Sequence, residues 1–289
     1  TAPWAGREGR YVTSRRIWER LLAEVNKNVS LRVEETDSSD TFRVMGRGEL
    51  QLSIVIETMR REGYELQVAK PTVIAKETAG QIQEPMELLL IDVQEDYIGV
   101  VSQLLAKRRG VMTRMNPPES GRVQLEFSVP SRGLIGFRSH FLTETRGTGI
   151  MNALFNGYAP WQGAIPSRIN GALVADREGP ATPYSLFHLQ ERGVFFIPAG
   201  TRVYEGMVIG ENSRDKDLDV NVCREKKLTN VRASGRDEAV RLIPYTEMDL
   251  EDSLEWVADD ELVEVTPVSI RLRKKILAQN LRPKHRPDG

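Results

Sequence analysis

Between Glu87 and Tyr158 the apolar residues allow few chain paths. Glu87–Gln94 reads as a strand. Asp96 opens a helix with Ile98, Val101, Leu104 and Leu105 on one side, stopped by Gly110. Val111–Met115 is a strand, and Asn116-Pro117-Pro118 with Glu119-Ser120-Gly121 turns the chain. Arg122–Val129 alternates through Val123, Leu125, Phe127 and Val129. A helix over Leu134–Thr145 follows, ended by Gly147, and Gly149–Tyr158 is the last strand. Strand, helix, strand, strand, helix, strand is the split βαβ, or ferredoxin-like, order.

The preceding block repeats this plan without its first strand. Ile17, Leu21, Leu22 and Val25 predict a helix over 13–26, with Thr13 or Ser14 as N-cap. Val29–Glu35 and Thr41–Met45 alternate around a turn at 37–40. A second helix is expected from Gly48 to Arg61, with Leu50, Ile54, Val55 and Met59 inward and Gly63 as its stop. Tyr64–Ala69 and Thr72–Glu77 read as strand. Thr1–Arg10 supplies no opening strand, so the sheet of this block is expected to carry a weakened or unpaired position. The chain begins with Thr, as expected of a piece of something longer.

From Ala159 Gly and Pro punctuate short alternating runs, at Gly171–Ala175, Gly193–Ile197, Val203–Ile209 and Leu218–Cys223. Short helices are expected over Tyr184–Glu191 and Leu250–Ala258, and a strand over Leu262–Leu272. The expected fold class is α+β: two ferredoxin-like domains, 1–78 and 79–160, then a β-rich domain, 161–289.

Catalytic signatures are missing from the sequence. Gly-Lys never occurs, which excludes a Walker A loop, and there is no G-x-S-x-G elbow. The three histidines, His140, His188 and His285, show no metal-ligand spacing. Gly46-Arg47-Gly48 opens a helix and could receive an anion, but it suits a tight turn better. Cys223 is the only cysteine, so no intrachain disulfide forms; it lies in the strand-like run LDVNVC and reads as a core or edge residue. The longest apolar runs are too short to span a bilayer.

Net charge is −1, but the positive charge is unevenly spread. VCREKKLTNVRASG, residues 222–235, holds Arg224, Lys226, Lys227 and Arg232 against the single acid Glu225. Such a segment is either a solvated loop or a contact for a phosphate backbone. Farther on, Glu247–Glu264 carries nine carboxylates and no Lys or Arg, while Arg271–Arg286 carries seven cations and no carboxylate. These blocks pair or stay solvated, or the second forms an RNA-binding arm. Pro130–Arg138, with Arg132 and Arg138, and the opening stretch could likewise be turns, or could offer guanidinium and backbone N–H groups to phosphates.

Three longer stretches carry a resemblance. GRGELQLSIVIETMRREGYEL resembles domain III of the elongation factor G group, and PSRGLIGFRSHFLTETRGTGIMN its domain V. YEGMVIGENSRDKDLDVNVCREKKLTNVRASGRDEAV, with DDELVEVTPVSIRLRKK, resembles the C-terminal domain of the BipA/TypA family of translational GTPases. The resemblance covers nearly all of residues 3–287. It implies a cytoplasmic, monomeric C-terminal half whose GTP-binding domain, with its GTP and Mg, lies outside this sequence. No catalytic residue, metal or cofactor is then expected in this stretch. The implied partners are the 50S subunit, 23S rRNA and A-site tRNA, and the implied work is ribosome assembly and stress-linked translation. Lys226, Lys227, Leu228, Thr229 and Asn230 match the family's contact loop. Arg224 and Arg232 join them on charge and proximity, and Arg132 and Arg138 form a second candidate contact. The alternative is a ferredoxin-like module that binds a small molecule or a protein.

Overall fold

Ser14–Lys27 forms helix α1 because Ile17, Leu21 and Val25 recur along one side; Thr13, in extended conformation, precedes it. Strands β1 (Arg32–Glu35) and β2 (Phe42–Met45) make an antiparallel pair. Helix α2 (Glu49–Arg61) ends at Gly63, whose φ of 97° lies in the left-handed region. Its inner face is Leu52, Val55, Ile56 and Met59, while Leu50 and Ile54 are exposed. The sequence holds two apolar stripes on this helix. The expected one is half right, because 52, 55, 56 and 59 give the fuller i, i+3, i+4, i+7 run. Strand β3 (Leu66–Val68) follows.

A computed structural model describes residues 2–78, 80–118, 120–165, 168, 170–226 and 241–283. The chain divides into two units, Thr1–Lys70 with Arg168–Asp288, and Pro71–Ser167.

The unit Pro71–Ser167 contains β4 (Lys76–Thr78), β5 (Gln81–Gln94), α3 (Ile98–Lys107), β6 (Val111–Met115), β7 (Arg122–Pro130), α4 (Phe137–Glu144) and β8 (Ile150–Pro160). The sheet runs β6-β7-β5-β8, all antiparallel, with β4 beside the start of β5. In chain order this is 4-1-3-2, the ferredoxin-like arrangement expected from the pattern. Alternate residues Leu89, Ile91 and Val93 of β5 and Val123, Leu125, Phe127 and Val129 of β7 meet Val101, Leu105, Phe137 and Phe141 of the helices. Phe137 and Phe141 are fully buried, worth about 1.5–3 kcal/mol each. Helix α4 starts at Phe137 rather than Leu134, because residues 131–133 form a separate turn and Gly136 has φ of 67°.

The rest of the chain adds β9 (Ala172–Ala175), β10 (Gly179–Pro180), α5 (Pro183–Leu189), β11 (Gly193–Phe195), β12 (Arg202–Val203), β13 (Met207–Asn212), β14 (Leu218–Val220), α6 (Leu250–Trp256), β15 (Glu261–Val265) and β16 (Ile270–Lys274). The main sheet runs β14-β9-β13-β16-β15-β3, with β11 also on β13. Strands β9 and β14 are parallel; the other pairs are antiparallel. The central strand β9 is buried on both faces. Leu173 and Ala175 enter a core with Leu186 of α5, and Ala172 and Val174 enter another with Leu250 and Leu254 of α6.

Strand β3 does not join β1 and β2. It pairs with β15, Leu66 opposite Val265 and Val68 opposite Val263. The open sheet position expected for the first block therefore stays beside a two-stranded pair. Its last strand finds a partner nearly 200 residues later in the sequence.

Candidate nucleic-acid interface

The cation-rich segment follows β14. Val222 is buried, and Cys223 packs on the same core. Burial and the Asp176 carboxylate push the Cys223 thiol up, so it stays protonated at neutral pH and acts as a core residue. Helix α5 pins the strand exit. Thr182, its N-cap, donates its backbone N–H to the Val222 carbonyl at 2.9 Å. The Thr182 hydroxyl donates to the Arg224 carbonyl at 2.6 Å and accepts the Ser185 N–H at 3.1 Å. Ser185 Oγ donates to the Asn221 carbonyl at 2.9 Å. Pro183 at the first helical position suits this start, because the missing N–H has no helical partner there.

Residues 242–246, beyond that segment, lie beside the same helix. Ile243 N–H donates to the Gln190 side chain at 3.1 Å, and Thr246 N–H donates to the Phe195 carbonyl at 2.8 Å. Leu242 packs on the core that holds Leu186. Both flanks of the segment are thus fixed by α5 and the residues just after it. Sequence reasoning missed these anchors, although Thr182-Pro183 carries a legible helix-start signature.

Arg224 and Lys226 are exposed at the end of this stem. Arg224 makes no ion pair with a described residue. Lys227, Leu228, Thr229, Asn230 and Arg232 lie outside the described residues.

The second basic block is not an arm over its described length. Strand β16 lies against the acidic β15, and their charges pair within the sheet. Arg271 Nε reaches Glu264 at 3.2 Å and Arg273 Nε reaches it at 3.1 Å. Lys274 Nζ stands 2.5 Å from Asp217 and 2.8 Å from both Asp260 and Glu261. Arg271 also bonds Glu8 at 2.8 Å, and Arg282 bonds Asp219 at 2.7 Å. A period-two reading puts carboxylates and cations on facing strands, and burial then forces them to pair.

Arg132 is similarly engaged. Its guanidinium makes two bonds to the buried Glu84, at 2.5 and 3.1 Å, donates to the Gly163 carbonyl and stacks on Trp161 at 3.7 Å. Arg138 is exposed on α4. The backbone N–H groups of the opening stretch are also spent: Gly6, Glu8 and Gly9 donate to the Glu65 carboxylate at 2.6, 2.8 and 2.5 Å. At the Gly46-Arg47-Gly48 turn, the Arg47 N–H donates to Gln51.

Among the described residues no group of three or more His, Cys, Asp or Glu could hold a metal ion, and no helix is long and apolar enough to cross a membrane. The stem can present cations and backbone groups on a fixed base, which suits an anionic polymer.

Comparison with known proteins adds sequence relationships. The family model described as TypA/BipA C-terminal domain matches residues 170–279, and that described as elongation factor G C-terminus matches residues 81–169. The chain is 53% identical over 281 residues to the large ribosomal subunit assembly factor BipA of Salmonella typhimurium strain LT2, covering 97% of this chain and 46% of that protein. The protein of the same name from Synechocystis is 53% identical over 273 residues, 94% of this chain and 46% of the relative. The chain therefore spans about half the length of the curated relatives it matches.

Proposed function

Because the chain belongs to the TypA/BipA family, we propose that its residues 161–289 bind RNA of the large ribosomal subunit in the service of subunit assembly. The stem at Asn221–Arg224 launches the contact. Arg224, Lys226, Lys227, Leu228, Thr229, Asn230 and Arg232 make it, to 23S rRNA and to A-site tRNA near the A site. Arg138 adds a second contact from residues 79–160, while Arg132 is engaged internally by Glu84. Residues 1–78 form the remaining domain. In the whole protein, cytoplasmic and monomeric, a GTP-binding domain outside this sequence hydrolyses GTP with Mg, and the 289 residues here supply binding rather than catalysis.

One observation carries the reading. The basic strand β16 is consumed by internal carboxylates, whereas Arg224 stands exposed, without a carboxylate among the described residues, on a stem held at both flanks. The Arg224 guanidinium, not engaged by a described carboxylate, is available to phosphates.

The test is binding of the chain to purified 50S subunits across a salt series. Affinity should fall steeply with salt, as phosphate contacts release counterions. Lys226→Ala with Lys227→Ala should weaken binding by about 1 kcal/mol or more per lost contact, with unchanged melting. Equal affinity of the double variant and wild type at near-physiological salt would remove the loop from the interface.

A further inference from the structure

A cavity of about 520 Å³ opens beside the stem. Tyr184 and His188 of α5, Arg192 just beyond it, Asp219 of β14, and Asn221 and Arg224 of the stem line it. The volume lies within the range of small-ligand clefts, roughly 300–1,000 Å³.

Its charge is positive despite Asp219. That carboxylate accepts Arg282 Nη1 at 2.7 Å, and Arg282 is held in turn by the Ile276 and Leu277 carbonyls. Arg192 and Arg224 make no ion pair with a described residue. Arg214 and Arg241 of the same unit likewise make no ion pair with a described residue, while other arginines there are engaged. Arg168, Arg177, Arg271, Arg273 and Arg282 each have a carboxylate within 3.1 Å. Two exposed guanidinium groups facing one cavity suit a phosphate, which each can bind through a fork of N–H donors.

The remaining wall combines the apolar Leu189, Leu218 and Val220 with two aromatic rings and an amide. The Tyr184 and His188 rings meet edge to face at 4.5 Å, and His188 is exposed. Asn221 Oδ1 accepts the Cys223 N–H at 3.0 Å, which fixes the amide and leaves its nitrogen as a donor. A flat ring for stacking, an amide donor and two guanidinium groups are the parts by which proteins hold an unstacked nucleotide.

We infer that this cavity receives one phosphorylated ribonucleotide, unstacked from a single-stranded segment of RNA. Arg192 and Arg224 take the phosphate, Tyr184 stacks on the base, His188 meets its edge, and Asn221 donates to a base carbonyl. The inference rests on the RNA-binding reading and deepens it by naming single-stranded RNA as the form recognised. It adds Tyr184, His188, Arg192 and Asn221 to the interface.

The test uses the 289-residue chain and fluorescence anisotropy with three probes: a labelled ten-nucleotide single-stranded RNA, the same strand annealed to its complement, and AMP as competitor. Arg192→Gln and, separately, Tyr184→Leu should each weaken single-strand binding at least fivefold, with duplex binding and melting temperature unchanged. A strand carrying 4-thiouridine should cross-link within Tyr184–Arg192. Wild-type preference for the strand over AMP supports a nucleotide within RNA. AMP binding as tight as the strand, and lost in Arg192→Gln, overturns the RNA source and assigns the cavity to a free nucleotide. If both cavity variants bind the strand like wild type while the Lys226/Lys227 double variant loses it, this inference fails and the RNA-binding reading stands. If the wild-type chain binds neither 50S subunits nor the strand, both fail.

Discussion

Lys274 is 1% exposed and Glu261 fully buried, so their charges must be justified locally. Glu261 accepts both nitrogens of the Arg168 fork at 3.0 Å, the Ala258 N–H at 2.8 Å and Lys274. Arg168 also lies 3.7 Å above the Trp256 ring. Removing the Glu261 carboxylate leaves two buried cations short of charge and one N–H unpaired. Glu261→Ala should therefore cost about 3–5 kcal/mol, the scale for breaking a buried pair. Asp260 touches the same ammonium at 2.8 Å, but its side chain is 51% exposed. Asp260→Ala should cost less than about 1 kcal/mol, because the Asp260 carboxylate is already half in water and Lys274 keeps Asp217 and Glu261. Urea midpoints at constant m-value make the comparison. Equal losses would mean that contact distance, not burial, sets the worth of these pairs.

Helix α5 is seven residues long, too short to persist on propensity, yet, with Gln190 just after it, it holds both flanks of the cation-rich segment. Thr182 holds the exit flank through its N-cap bond and its bond to the Arg224 carbonyl. Thr182→Ala should lower stability by about 1–2 kcal/mol, the upper range for an N-cap. It should also weaken 50S binding, whereas Thr182→Ser keeps both bonds and should restore both properties. Loss of stability with unchanged 50S affinity would show that the stem does not position the contact. At this scale the sequence is legible where structure is local. Helix α1, helix α2 and the β5–β8 order follow from period and turn residues. The α2 face was misjudged at Leu50 and Ile54 because two stripes compete on one helix. The pairing of β3 with β15 left no local signal, since any apolar strand of that length fits the same edge. The two charge blocks were visible, but only the β15–β16 register shows that they neutralise each other. The cavity beside the stem was hidden, because Tyr184, Arg192 and Arg224 meet only through folding.

Over the whole molecule the internal ion pairs and the proposed RNA contact should respond differently to solution conditions. Burial opposes ionisation of Asp217 and Glu8, but Lys274 and Arg271 respectively hold both carboxyls below the usual range. Burial likewise opposes the Lys274 charge, but Glu261 and Asp217 more than offset it and raise its pKa. A lowered carboxyl contributes stability above its unfolded value, near about 4, and loses it as pH falls through the native value. A raised lysine contributes below its unfolded value, near about 10.4, and loses it as pH rises through the native value. The Cys223 thiol of the same unit, pushed up by burial, loses its contribution as pH rises above its unfolded value of about 8.5, so stability of this unit should be level between about pH 5 and 8 and fall beyond either end. Trp4, Trp18 and Trp256 report on that unit once Trp161→Phe silences the other. Salt then separates the two uses of charge. Pairs as buried as Lys274–Glu261 are poorly screened, so the urea midpoint at pH 7 should barely move between about 50 and 200 mM salt. Binding through phosphate contacts should weaken by an order of magnitude or more over that range. A midpoint that collapses together with binding would mean that salt acts by unfolding the stem, and the phosphate reading of the segment would lose its support.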